Sequence, residues 1–106
     1  MPDNRFWRDS SERLAFEMSR VPAADYPELC KAVVTAFGLA PDYESFAAGL
    51  DAIFMDHRRG EQVVEMAWDN WTGFTVVAKA TNSEPLVREI AAWLLQYPGD
   101  QGGEGA

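Results

Sequence analysis

Between Leu50 and Ala80 the large apolar residues fall on alternate positions in three successive runs, and turn-forming residues interrupt the pattern twice. A period of two is the mark of a strand with one face buried. The runs are Leu50 to His57, Gln62 to Trp68 and Phe74 to Ala80. Arg59-Gly60 sits at the first interruption, where a tight turn needs a residue that tolerates positive φ. If Arg58 faces Glu61, then Met55 faces Val64 and Ile53 faces Met66, which gathers four large apolar side chains on one face. Gly73 is expected at the left-handed position of a bulged hairpin whose loop lies within Asp69 to Gly73. Such a meander cannot leave its apolar face in water, so the rest of the chain must cover it.

Two amphipathic helices are available for that. Asp25 to Phe37 carries a stripe of Leu29, Val33 and Phe37, with Pro27 in the first turn and Gly38 after the last. Asp25 and Glu28 have the spacing of a capping box. Glu84 to Tyr97 carries Leu86, Ile90, Trp93, Leu94 and Tyr97 on one face, with Thr81 placed to cap it. Arg13 to Val21 fits both periods. Alternation puts Leu14, Phe16 and Met18 on one side, and we read it as a strand. Ala40 to Gly49 reads as a connection, with at most a short helical turn from Asp42.

The expected fold is an α+β two-layer sandwich of order β-α-β-β-β-α. It has an antiparallel sheet of three to four strands and both helices on one face. At 106 residues the chain is the length of one domain. Residues 13–97 are expected to form it, with 1–12 as a flexible arm and the glycine-rich 98–106 as a disordered tail.

Side-chain parity divides the surface. Ile53, Met55, Val64, Met66, Trp68 and Val76 should point under the helices. Phe54, Asp56, Val63, Glu65, Ala67, Thr75, Val77 and Lys79 should point away. That outer face is less polar than a sheet face open to water usually is. Phe54, Val63, Ala67 and Val77 make it a candidate interface, edged by Asp56 and Glu65, unless the arm with Phe6 and Trp7 lies across it. Trp71, in the loop, either folds back as a lid over the sheet end or stands exposed as a binding anchor.

Charge narrows the partner. The formal net charge is −8, and residues 42–69 hold seven acids against two bases. Nucleic acid binding rests on cations meeting phosphates, so this balance argues against it and would attract a basic partner. No run is apolar and long enough to suggest a membrane span, and the start of the sequence lacks the pattern of a secretory signal. With a single cysteine, Cys30, and no intramolecular disulfide, the expected location is the cytoplasm.

Catalytic signatures are scarce. One histidine, His57, and one cysteine exclude two-histidine and multi-thiolate metal motifs. No phosphate-binding loop, dinucleotide fingerprint or nucleophile elbow occurs. The expectation is a non-enzymatic interaction module with no cofactor and no metal. Its surface would be Phe54, Asp56, Val63, Glu65, Val77 and Trp71, and its partner a basic protein or its own copy. The alternative is a small-molecule or catalytic site at the sheet end near Asp56, His57, Asp69 and Trp71. In size, charge and the WDNWTG hairpin followed by a capped amphipathic helix, the chain resembles some immunity proteins of bacterial toxin systems. That resemblance implies a role in binding another protein.

Overall fold

The alternating runs do pair, and the sheet they build is wider than the sequence suggests. A computed structural model describes residues 4–97. It contains β1 (Asn4–Arg8), β2 (Leu14–Met18), α1 (Tyr26–Phe37), β3 (Ala40–Ala48), β4 (Ala52–Arg59), β5 (Gln62–Asp69), β6 (Gly73–Ala78) and α2 (Glu84–Gln96). All six strands form one antiparallel sheet in the order β1-β2-β6-β5-β4-β3. The class is therefore α+β, with six strands where three to four were expected.

Two of the expected boundaries change. Asn4–Arg8, within the stretch expected as a flexible arm, is an edge strand paired with β2. Ala40–Ala48, expected as a connection, is the opposite edge strand, paired with β4. The tail expected at 98–106 lies outside the described residues.

The β4–β5 register differs by two residues from the expected one. Met55 faces Met66, Ile53 faces Trp68 and His57 faces Val64. The two-residue turn is Gly60-Glu61, with Gly60 at φ +61° in the first central position. A shift of two preserves side-chain parity, so the assignment of faces survives it. Phe16, Phe74, Val64, Met66 and Val76 are fully buried on the helix side, against Val33, Leu86, Val87 and Ile90. Trp68 packs partly buried against this core, and its indole N–H donates to the Val21 carbonyl at 2.7 Å. Tyr26 reaches into the same layer, donating its hydroxyl to the Met66 carbonyl at 2.7 Å.

Neither helix uses the side-chain cap its sequence offers. Each is entered through a 3-10 turn, Ala23–Asp25 before α1 and Thr81–Ser83 before α2. Asp25 and Ser83 sit in helical φ/ψ with no side-chain cap bond. The Ser83 hydroxyl instead accepts the Val63 backbone N–H at 2.7 Å, joining the start of α2 to β5. At the other end of α1, Gly38 is left-handed at φ +65° and closes the helix as expected.

The two sheet edges are treated differently. On β1, Arg8 forms a two-pronged pair with Glu84 of α2 at 2.7 and 3.2 Å. The Phe6 ring, 5.1 Å from Phe16, lies under the Arg88 guanidinium of α2. That edge is tied to the helix layer. On β3, four residues, Tyr43 to Phe46, stand opposite the single Met55. The bulge is closed by Ser45, whose hydroxyl donates to the Asp42 carbonyl at 2.6 Å and accepts the Asp56 N–H at 2.7 Å.

Candidate functional site

The β3 bulge pushes Tyr43 and Phe46 out of the sheet, and they are 76% and 51% exposed. Leu50, at the β3–β4 turn, is 101% exposed, and Phe54, on the outer face of β4, is 38% exposed. Trp71 stands out from the β5–β6 loop at 77% exposure and does not fold back as a lid. The two loops are joined, because Asn70 N–H donates to the Asp51 carbonyl at 3.0 Å. Leu50 and Trp71 each neighbour one end of that bond. Among the described residues seven large apolar side chains are exposed, and these five share one corner of the sheet.

The Trp71 loop is held firm. The Asp69 carboxylate accepts the Trp71 and Thr72 N–H groups at 2.8 and 2.7 Å. Burial raises the Asp69 pKa, but these hydrogen bonds outweigh it and hold it below the usual carboxylate value. Gly73 follows at φ +72°, and a Cβ there would come within 2.5 Å of the Met18 carbonyl oxygen. The exposed indole is therefore displayed on a rigid hairpin.

The electrostatics of the corner are one-sided. From Asp42 to Asp56 there are four acids and no lysine or arginine. The nearest pairings lie at its border: Lys79 with Asp56 at 3.4 Å and Arg58 with Asp42 at 3.9 Å.

The expected outer face is distributed unevenly over this arrangement. Phe54, Asp56, Val63, Glu65 and Val77 do share it, as the register shows. Its centre is closed, however: Ala15, Glu17, Thr75 and Val77 are all buried, Val77 at 8% exposure. Val63 and Glu65 are half-buried. Trp7 of β1 stands on the same face beside Ala15, and its indole N–H is buried without a hydrogen-bond partner. Arg5 reaches Glu17 at 3.4 Å. Extra strands on both sides thus move the open apolar surface from Val77 outward to Phe54 and β3. Sequence reasoning missed Tyr43, Phe46 and Leu50. The visible signal was two aromatics within four residues of an acidic, base-free segment.

The alternative grouping is not brought together. His57 and Asp56 point to opposite faces of β4, and His57 lies five register steps from the Ala52–Asp69 pair, roughly 17 Å along the strand. His57 is buried on the helix side, and its Nδ1–H donates to the Met55 carbonyl at 3.1 Å. Burial holds its pKa below the ordinary value. Burial also pushes the Cys30 thiol up to about 11, where little thiolate exists at neutral pH. Among the described residues no three His, Cys, Asp or Glu side chains cluster as metal ligands, and no helix is long and apolar enough to cross a membrane.

Concavities among the described residues accompany the surface. A polar one of about 420 Å³ at the β1–β2 turn holds Arg13, Lys79 and Glu84, each already paired within the chain. A cleft of about 340 Å³ opens between the start of α1 and the end of α2, beside Leu29, Leu94 and Tyr97. A groove of about 220 Å³ lies next to Leu50. Comparison of the chain with protein-family models, with curated proteins and with solved structures finds no match.

Proposed function

We propose that the protein is a non-enzymatic interaction module that docks a basic protein on the corner formed by Tyr43, Phe46, Leu50, Phe54 and Trp71. The observation that carries this is the concentration there of five of the seven large apolar side chains exposed among the described residues, four of them in a segment with four acids and no bases. Aromatic anchors supply most of the energy of protein interfaces, and a rim of one sign selects partners of the other. A second copy fits less well, because each carries a net charge of −8 and would meet the same acids across the contact. Strand addition to β3 is disfavoured by the bulge, which removes the flat edge a new strand would need. Binding of another protein, as the likeness to immunity proteins implies, is one form of this role.

Affinity capture with quantitative mass spectrometry tests it, comparing wild type with Trp71→Asp, Phe46→Asp and the control Lys31→Ala. The expected result is one basic protein retained by wild type and control and lost from both Asp variants. Its binding should weaken as salt rises. Capture that is unchanged by both Asp variants would remove this corner from the role.

A further inference from the structure

We propose that the groove beside Leu50 accepts one apolar side chain, of about leucine size, from a basic segment of the partner. This rests on the docking reading above and names what the corner recognises. The groove lies on the helix side of the same corner. Tyr26 and Pro27 of α1 form one wall, Ala48, Leu50 and Ile53 the other, and Trp68 lies between them. Its volume of about 220 Å³ is below the span typical of small-molecule sites and suits a single side chain.

The lining settles the chemistry. Its two polar side-chain groups are already committed, the Tyr26 hydroxyl to Met66 and the Trp68 indole N–H to Val21. Nothing among these six side chains is left to recognise a polar ligand, so an apolar group is what gains by entering. One lip is acidic: Asp51 follows Leu50, exposed and in no ion pair among the described residues, whereas Asp25 lines the cleft between α1 and α2. An apolar slot with an acid beside it, in a segment of four acids and no bases, is complementary to an apolar residue next to lysine or arginine. Leu50 and Trp71 would then cover the inserted chain from water, as the ring around a hot spot does.

The test uses the full chain, ¹⁵N-labelled, titrated with the amidated peptides KKLKK, KKAKK and EELEE. KKLKK is expected to shift the Tyr26, Leu50 and Ile53 amides saturably and to bind about tenfold more tightly than KKAKK. EELEE should produce no saturable shift. Ala48→Leu, which narrows the slot, should abolish the leucine advantage. Ala23→Leu serves the same purpose from the opposite lip if Ala48→Leu alters the amide spectrum as a whole. Equal binding of KKLKK and KKAKK, with shifts at Tyr43, Phe46 and Trp71 only, overturns the groove and leaves the docking corner standing. Saturable shifts from neither basic peptide at any of these amides count against both.

Discussion

At the scale of single residues, the indoles of Trp7 and Trp68, both partly buried, make opposite demands. Trp68 donates its N–H to a backbone carbonyl, whereas the Trp7 N–H is buried with no acceptor. An unpaired buried donor costs about 1–3 kcal/mol, comparable to the apolar burial forfeited when indole becomes phenyl. Trp7→Phe is therefore expected to leave stability within about 0.5 kcal/mol of wild type. Trp68→Phe should cost about 1–2 kcal/mol, because it removes the bond and strands the Val21 carbonyl. Urea denaturation of the two variants side by side measures the difference. His57 sets the pH response. Its folded pKa lies below the ordinary value of about 6.5, so the unfolded chain binds more protons as pH falls below that value. The stability tied to neutral His57 is complete above about pH 6.5 and is lost as pH falls through the folded pKa. Asp9, Asp69 and Glu84, whose pKa values are lowered, titrate in a more acidic window. Melting temperature should thus begin to drop below about pH 6.5 in wild type and stay flat down to about pH 5 in His57→Phe.

At the scale of elements, the hairpins carry the display. Gly73 must be glycine twice over, for its positive φ and for the Met18 carbonyl that occupies the space of a side chain. Gly73→Ala is expected to cost about 3 kcal/mol or more, by strain and by displacement of the end of β2. Gly49→Ala, with open space around it and no positive φ, should fall within about 0.5 kcal/mol of wild type. Chemical denaturation of both variants checks the contrast. The central elements were legible because the alternation in β4, β5 and β6 is strict, and parity survives a register error of two. The edge strands were not legible, for a physical reason. Edges need no apolar face on both sides and carry charges, prolines and bulges that discourage further pairing. NRFWR alternates arginine with aromatics, and APDYESFAA holds a proline and three inserted residues. The helix caps were misread because a 3-10 turn satisfied the first amides before a side chain was needed.

At the scale of the whole molecule, one edge of the sheet is closed and the other is open. β1 is held to α2 by Arg8–Glu84 and the Phe6–Arg88 contact, while β3 presents exposed aromatics in a segment with four acids and no bases. That asymmetry gave only part of itself away in the sequence. Phe54, Asp56 and Trp71 could be named from parity and loop position, but the closure of the Val77 region depends on strands that the pattern concealed. The account stands on this corner being where a basic protein sits. Site-specific photo-crosslinking in cells tests that most directly, with a benzophenone side chain placed in turn at Phe46, Trp71, Lys31 and Ala92. The account predicts that Phe46 and Trp71 yield a covalent adduct with one and the same basic protein and that the two helix positions yield none. Adducts of equal strength from all four positions, or from Phe46 and Trp71 only with a second copy of the chain, would contradict it.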